Sequence, residues 1–427
     1  MALPSHPPAA PAPDSRRPLL LFISPRFLFP TDNGGKIRTV QILRGMKGGA
    51  YEIALASPVP PEGRGRFAAD LAAVCDRFAA WPAPRRGPLF PVTRLRHLLS
   101  RLPVSVATDR SRPGRRVVAA ELARRPDLVV LDFPHTAVLA PVPLGVPSVL
   151  FTHNVESEIF RRHEEVAASR VKRAVWRNQL RKMERFESGV LRRFDTVVAV
   201  SERDAAHFRE ASGIARAEVI PTGVDLDFFD YVPPGSSECV AFTGSMDWMA
   251  NIDGLDFFLE EVWDLVVREV PRARMKVIGR NPPGFLAEKV RARGAAWELT
   301  GFVADIRPHV RGCSAYVIPL RVGGGTRLKA FEAMAMGCPV VSTAIGVEGL
   351  SLQPDRHYLR ADTAPELAAA LVRLLREAAL RERIAREARR YVEERCSFLH
   401  AARAFEEICR RTAEGRMAGR REAEIRL

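Results

Sequence analysis

Three glycines, a good helix cap and a short apolar helix follow one another in the segment RVGGGTRLKAFEAMAMGCPVVST. Gly323, Gly324 and Gly325 carry no side chain, so another group can approach their backbone closely. Thr326 is a favoured N-cap residue, and the Gly-Cys-Pro sequence that follows is a clear stop, which predicts a helix from Arg327 to Met336. The N-terminus of such a helix offers free amides and the positive end of the helix dipole.

Two cations and one acid lie in this predicted helix. Arg327 and Lys329 fall in its first turn, where cations oppose the dipole unless a bound anion neutralises them. A diphosphate is the natural anion for such a helix N-terminus. Glu332 stands between Phe331 and Ala333 in an otherwise apolar helix. Its carboxylate either lies on a solvent edge, pairs with one of the two cations, or accepts hydrogen bonds from ribose hydroxyls beside the diphosphate.

The rest of the chain alternates short apolar strands with helices, a pattern typical of parallel sheets covered on both faces. The pattern begins at Leu19 and restarts after the linker Tyr231–Ser237. We therefore predict an α/β fold with two Rossmann-like, doubly wound domains that face each other across a cleft. The predicted organisation is a disordered tail (1–18), an N-terminal domain (19–230), a C-terminal domain (238–395), and C-terminal helices that pack back toward the N-terminal domain (396–427).

Several predicted strands end in glycine or in a polar residue. Ligands of open parallel sheets bind outside the carboxyl ends of the strands. These strand-end positions are therefore candidate binding residues, and two sheets whose ligand-facing ends oppose each other would form an interdomain cleft. They are Gly34, Gly35, His153, Asn154, Gly244, Gly279 and Arg280.

The net charge of +15 is concentrated in the first half of the chain. Residues 1–220 hold 35 Lys and Arg against 21 Asp and Glu, whereas the remainder is nearly balanced. The segment 158–194 is the most basic part, and its apolar residues recur at helical spacing. It is either a domain helix with a solvated cationic face or a helix that contacts an anionic membrane surface. Its apolar positions are Val171, Val175, Met183, Phe186, Val190 and Phe194.

Composition also indicates the cellular compartment of the protein and the class of its partners. No apolar run approaches the ~20 residues of a membrane span, and the proline-rich N-terminus does not read as a signal peptide. Six scattered cysteines indicate free thiols in a reducing compartment. We predict a cytoplasmic protein, peripheral on the inner face of the cytoplasmic membrane. Aromatic residues do not interleave with the basic runs, so no nucleic-acid partner is predicted.

The motifs together resemble the family 4 retaining glycosyltransferases, which have the GT-B architecture. The Glu-x7-Glu signature of that family places its second Glu on Glu332, whereas its first falls on Gly324. TGVDLDFF (222–229) resembles the interdomain segment of the family, and LTGFVADI (299–306) resembles its loop near the nucleotide base. FTGSMDWMANIDGLDFF (242–258) is similar to sugar transferases of PEP-CTERM/exosortase and exopolysaccharide gene clusters.

The resemblance implies that the N-terminal domain (19–230) is the acceptor domain and that the C-terminal domain (238–395) binds the nucleotide sugar. It also implies roles for individual residues. Gly34 and Gly35 would shape a loop that faces the donor phosphates and the acceptor. His153 would contact the donor sugar near the reacting carbon, and Val303 belongs to the loop near the base. The family usually has a basic residue soon after Gly244; this chain has Ser245 there. The remaining cations, which would bind the leaving diphosphate, are Arg327, Lys329 and, as a weaker candidate, Arg280.

The implied reaction is retaining transfer of a sugar from a nucleotide-diphosphate sugar to a glycan or a polyprenyl-linked acceptor, with no cofactor and no metal. Because the leaving phosphate can take the acceptor proton, no pair of carboxylates is needed. Gly324 keeps open the alternative of a catalytically weak or binding-only member. A nucleotide-sugar epimerase of the same fold is the second alternative.

Overall fold

The structure, a computed structural model, describes residues 16–84, 90–141, 143–165, 167, 169–220, 223–246, 248–322 and 327–425. Its strands form two parallel sheets. The first contains β1 (Leu19–Ile23), β2 (Glu52–Val59), β3 (Arg77–Pro82), β4 (Leu128–Asp132), β5 (Ser148–Phe151), β6 (Thr196–Ala199) and β7 (Ala217–Val219). The second contains β8 (Ser237–Thr243), β9 (Arg274–Ile278), β10 (Trp297–Gly301), β11 (Cys313–Ile318), β12 (Val340–Ser342) and β13 (Leu359–Arg360).

Both sheets have the doubly wound topology. The strand orders are β3-β2-β1-β4-β5-β6-β7 and β10-β9-β8-β11-β12-β13, and every pair is parallel. Alternate residues of the central strands enter different cores: Leu20 and Phe22 pack on one face of the first sheet, Leu21 on the other. Each sheet is therefore buried on both faces, as continuous apolar strands require. The predicted fold class of two Rossmann-like domains is confirmed.

Helices connect the strands. Those of the first half are α1 (Gly34–Met46), α2 (Gly63–Arg66), α3 (Ala68–Ala72), α4 (Phe90–His97), α5 (Val104–Thr108), α6 (Arg112–Leu122), α7 (Glu156–Glu165), α8 (Arg170–Leu191) and α9 (Glu202–Ser212). Those of the second half are α10 (Met249–Phe257), α11 (Trp263–Glu269), α12 (Gly284–Ala292), α13 (Arg307–Val310), α14 (Leu328–Ala335), α15 (Ala364–Arg376), α16 (Ala378–Arg395) and α17 (Phe398–Ile425). A π-helical turn, Phe258–Val262, joins α10 to α11.

Helix α17 leaves the second sheet and packs on the first. Its residues Ala402, Phe405 and Cys409 lie in the same core as β1 and α1. The approach to α1 is close, since a Cβ on Gly45 would lie 2.4 Å from the Cβ of Ala402. The first half of α17 is thereby part of the N-terminal core.

Two helix starts differ from the sequence predictions. Gly34 and Gly35 form the first turn of α1 rather than a loop, because the Asn33 side chain accepts a hydrogen bond from the Lys36 amide (3.2 Å) and caps the helix. Helix α14 begins at Leu328 and ends at Ala335, one residue inside the predicted range at each end. Arg327 holds the cap position in a left-handed conformation (φ 44°).

Candidate active site

The N-terminal half of the site is built at the end of β4. The Asp132 carboxylate accepts hydrogen bonds from Ser24 Oγ (2.9 Å) and Thr39 Oγ1 (3.2 Å), and lies 2.7 Å from His153 Nε2. All four side chains are buried. Because β1, β4 and β5 are neighbours, their carboxyl ends and the facing turn of α1 converge on this one carboxylate. Asp132 therefore fixes the orientation of the imidazole.

The His153 ring is enclosed. It stacks on Phe133 with ring centroids 4.1 Å apart, and only 1% of its surface is exposed. Burial lowers the pKa of His153, which Asp132 only partly offsets, so the imidazole is neutral near pH 7. Phe133 has φ 65°, which is uncommon for an aromatic residue, and a Cβ on Gly35 would lie 2.8 Å from its ring. Contact between the His153 ring and a ligand requires movement of the residues that cover it.

Arg38 holds the neighbouring strand ends together. Its guanidinium donates to the carbonyls of Thr152 and Ile220 (both 2.8 Å) and lies 4.5 Å from the centre of the Phe151 ring. Burial lowers the pKa of this side chain to about 9. The arginine thus satisfies carbonyls beyond the ends of β5 and β7, at the edge where the cleft opens.

The C-terminal half of the site is built around Gly244, directly after β8. A Cβ at this position would lie 2.7 Å from Asn251 Nδ2 and 3.0 Å from Lys329 Nζ. Lys329 Nζ donates to Asn251 Oδ1 (2.8 Å), and Asn251 Nδ2 donates to the Ser245 carbonyl (2.8 Å). The absence of a side chain at Gly244 is therefore what allows α14 to bring a cation against this backbone.

Lys329 and Glu332 occupy one face of α14, three residues apart. Burial, helped by the nearby Arg327, lowers the pKa of Lys329 to about 7. Burial raises the pKa of Glu332 to about 7 as well, against the attraction of Lys329. Among the described residues, no side chain or amide donates a hydrogen bond to the Glu332 carboxylate. Two ionisable groups with strongly perturbed pKa values at the cleft are typical of a functional site.

Arg327 lies between the two domains. Its guanidinium is 3.7 Å from Glu348, which is also 3.6 Å from Arg203 of α9 in the N-terminal half. Burial and the neighbouring Arg162 and Arg203 lower the pKa of Arg327 to about 10. A cluster of cations that converge from both halves on one face suits a polyanionic ligand.

Arg280, at the end of β9, reaches the other half of the molecule. Its Nε donates to Ser245 Oγ (3.3 Å), and its NH1 lies 3.6 Å from Asp32, in the loop before α1. The carboxyl ends of the two sheets therefore face each other, and we call the space between them the cleft.

The structure brings most of the predicted residues to this cleft, with two qualifications. Gly323, Gly324, Gly325 and Thr326 lie outside the described residues. Val303 is partly buried and packs against the core that contains Phe331. Among the described residues, it has no contact with the cationic cluster.

Several residues of the site were not predicted, among them Asp32, Asp132 and Asn251. Asp132 lies inside the apolar run LVVLDF and carries no spacing signal; its one sequence cue is its position as a polar strand end. Asp32 and Asn251 act through partners far away in the sequence. Among the described residues, no group of three or more His, Cys, Asp or Glu is arranged to hold a metal ion.

Family models match both halves of the chain. The model described as Glycosyltransferase Family 4 matches residues 33–228, and the model described as Glycosyl transferases group 1 matches residues 237–377. With the fold and the facing strand ends, these matches make the chain a two-domain glycosyltransferase of the GT-B architecture.

Solved structures share the fold over nearly their whole length. HepE from Anabaena, in complex with UDP, is 14% identical with a TM-score of 0.63, over 91% of this chain and 99% of that one. Sucrose-phosphate synthase from Thermosynechococcus elongatus is 17% identical with a TM-score of 0.66, over 93% and 99%. TarM is 10% identical with a TM-score of 0.68, over 91% and 98%.

A Klebsiella pneumoniae protein described as an uncharacterized 44.6 kDa protein in the cps region is 28% identical over 163 residues. The match spans 36% of this chain and 41% of the relative. No helix in the described part of the chain combines the length and apolar character needed to cross a bilayer.

Proposed function

We propose that the protein is a retaining glycosyltransferase that moves a sugar from a nucleotide-diphosphate sugar to a glycan or a polyprenyl-linked acceptor. The observation that carries the proposal is the Lys329–Glu332 pair on α14, against the open backbone of Gly244. This arrangement offers a cation for a diphosphate and a carboxylate for ribose hydroxyls on one helical face. HepE was solved with UDP, which makes a UDP-sugar the first donor to test.

The leaving diphosphate is proposed to bind Lys329, Arg327 and Arg280 together with the backbone at Gly244 and Ser245. Cations and a helix N-terminus stabilise charge where it develops, which is the main requirement for departure of a diphosphate. Gly323, Gly324, Gly325 and Thr326, immediately before α14, complete this binding segment in the proposal. Val303 is proposed to line the nucleotide-base side.

The N-terminal domain is proposed to hold the sugar and the acceptor. The amides of Gly34 and Gly35, in the first turn of α1, face the donor phosphates. His153 acts near the reacting carbon once the cleft closes on the donor and displaces the residues that cover its ring. Asp132 is a positioning residue, because it acts on the substrate only through His153.

The proposed reaction occurs on one face of the sugar. The bond between the anomeric carbon and the diphosphate oxygen breaks, and the acceptor oxygen forms its bond to the same face through an oxocarbenium-like state. The acceptor proton passes to the departing phosphate oxygen. The protein supplies charge stabilisation and positioning, so Gly324 at the position of the first family glutamate is compatible with transfer, and neither a cofactor nor a metal is part of the proposal.

The proposed pathway is exopolysaccharide or cell-surface polysaccharide synthesis, on the cytoplasmic side of the membrane. Two observations support it: the relative in the cps region of Klebsiella pneumoniae, and the resemblance of the segment 242–258 to sugar transferases of PEP-CTERM/exosortase and exopolysaccharide clusters. The acceptor is then a growing glycan or its polyprenyl carrier.

Gly324 favours one alternative, a family member that binds nucleotide sugars without transferring them. A nucleotide-sugar epimerase is the other. The test is incubation of the protein with UDP-sugars and polyprenyl-phosphate or glycan acceptors, followed by NMR of the product. Transfer with the anomeric configuration retained supports the proposal, and added EDTA is expected to leave the yield unchanged. Binding without turnover supports the first alternative, and conversion of the donor sugar supports the second.

A further inference from the structure

One surface of the N-terminal domain leaves large apolar side chains in water. Leu95 and Leu99, on α4 and the turn after it, have 66% and 93% of their surface exposed. Val171 and Val175, one turn apart in α8, have 74% and 40% exposed. Val171 and Val175 line a groove together with Leu98 and Ala174. Leu98 lies between Leu95 and Leu99 in the sequence, so this groove joins α8 to the end of α4. We call these residues and the cations between them the α4–α8 surface.

Core packing does not explain these side chains. Helix α8 buries a different face, on which Leu180 and Met183 pack with Val106 and Phe160. Trp176 turns toward the same side and stacks on His163 with ring centroids 4.4 Å apart. Helix α8 thus buries one face from Trp176 onward. Its first two turns carry Val171 and Val175, which the described residues leave largely exposed.

The apolar side chains are surrounded by cations. Arg94 and Arg96 of α4 and Arg170, Lys172 and Arg173 of α8 are all exposed. None of these five forms an ion pair with another described residue. Exposed apolar residues interleaved with unpaired Arg and Lys characterise a helix that lies in the headgroup region of a membrane.

We infer that the α4–α8 surface docks on an anionic lipid bilayer, with the leucines and valines inserted among the acyl chains and the cations against the headgroups. A second copy of the same surface is disfavoured, because an isologous contact would set like charges against each other. A nucleic acid would use the cations but would leave the apolar residues exposed. This inference extends the proposed function by placing its acceptor in the membrane.

The surface is connected to the candidate site through α5. Lys182 Nζ of α8 donates to the Leu98 carbonyl (2.7 Å), and the Val104 amide donates to Gln179 Oε1 (2.8 Å). At the other end of α5, the Asp109 carboxylate lies 3.1 Å from His135 Nδ1. His135 follows Asp132 by three residues in the chain. An acceptor carried in the bilayer would therefore approach the cleft from the side that α5 and α8 form.

The test is co-sedimentation of the full chain with phosphatidylethanolamine–phosphatidylglycerol vesicles and with phosphatidylethanolamine–phosphatidylcholine vesicles. The protein is expected to bind the anionic vesicles at low salt and to be released from them as the salt concentration rises. It is not expected to bind the neutral vesicles. The substitution pair Lys172→Gln/Arg173→Gln is expected to weaken binding roughly 30-fold, because each cation near an anionic surface contributes about 1 kcal/mol. Leu95→Ser/Leu99→Ser is expected to weaken it at least about tenfold.

Two matched controls lie on the C-terminal domain. Arg268→Gln/Arg272→Gln removes the same charge from exposed positions, and Phe285→Ser removes an apolar side chain that is 48% exposed. Both are expected to bind vesicles as the wild type does. A UDP-sugar thermal shift that persists in every variant shows that the fold and the donor site are intact, so the vesicle result stands whether or not the chain transfers sugar. No vesicle binding at low salt, or equal binding by all variants, overturns the inference. Self-association, or oligonucleotide binding unaffected by the leucine change, also overturns it.

Discussion

The Arg280 guanidinium lies 3.6 Å from the Asp32 carboxylate and joins the end of β9 to the loop before α1. Burial alone would raise the pKa of Asp32, but Lys36 and Arg280 outweigh it and hold the pKa below its usual value. The pair is partly exposed, so its contribution to stability is small. The pair matters because Asp32 would compete with the donor diphosphate for Arg280. A diphosphate bound in the cleft would replace the Asp32 carboxylate as the partner of the Arg280 guanidinium.

Asp32→Asn is expected to strengthen the binding of UDP-sugars by about two- to fivefold, because an exposed ion pair worth less than about 1 kcal/mol no longer competes. Arg280→Gln is expected to weaken it. Calorimetric titration of both single variants and the double variant measures the coupling. If Asp32→Asn weakens donor binding in the presence of Arg280, the competition does not exist.

Gly244→Ala is expected to reduce donor affinity roughly tenfold while the protein remains folded. The new Cβ would collide with Asn251 Nδ2 and Lys329 Nζ, which are the ends of side chains and can move away, so the lysine is displaced from a charge-assisted hydrogen bond worth about 1.5–3 kcal/mol. Gly284→Ala is the control, because a Cβ there meets no atom within 4 Å. Equal dissociation constants for the two variants would show that Lys329 does not bind the donor.

Donor affinity is expected to fall as the pH rises above about 7. The pKa of Lys329 is lowered to about 7, so its positive charge is complete below that pH and is lost above it, by roughly tenfold per pH unit. A nucleotide sugar is the right probe, because its diphosphate diester keeps a constant charge over this range. Lys329→Arg keeps the cation at all these pH values and should remove the fall in affinity above pH 7. Identical profiles for wild type and Lys329→Arg would contradict the assignment.

Asp132→Asn is expected to lower kcat by about 10²-fold with little change in KM for the donor. The substitution preserves shape but removes the charge that orients His153, and misplacement of a positioned group near the reacting carbon costs about 10²-fold in rate. The pH profile of kcat should shift to lower pH in the variant, because loss of the Asp132 charge lowers the pKa of His153 further. Ser24→Ala removes a neighbouring hydrogen bond to the same carboxylate and serves as the control. An unshifted profile with the same loss of activity would mean that Asp132 has only a structural role.

The fold was predictable because its central strands are continuous apolar runs. LLLFI and LVVLD bury every residue, and such runs separated by helical segments leave few topologies other than a doubly wound sheet. Two edge strands, β3 and β13, were missed. β3, RFAAWP, has only one buried residue, and β13 is two residues long, so neither shows the pattern that marks a central strand.

The site was predictable only where one segment contains several of its groups. Lys329 and Glu332 share a helix, and their position on one face of it follows from helix geometry alone. The pairing of His153 with Asp132 depends on the adjacency of β4 and β5, and the pairing of Arg280 with Asp32 depends on the arrangement of two domains. The start of α1 at Gly34 depends on a single side-chain cap at Asn33. Local sequence does not encode relationships of these kinds.

The central claim, that α14 binds the donor, is tested most directly by UDP-sugar thermal shifts of the wild type and of Glu332→Gln. Glu288→Gln, at an exposed position of α12, is the matched control. At 100 times Kd, a bound donor adds about 2.7 kcal/mol to the free energy of unfolding, which raises Tm by several degrees. We expect this shift in the wild type and in Glu288→Gln. In Glu332→Gln the affinity should fall about tenfold or more, because ribose hydroxyls lose a charged acceptor. A full shift in Glu332→Gln would contradict the claim.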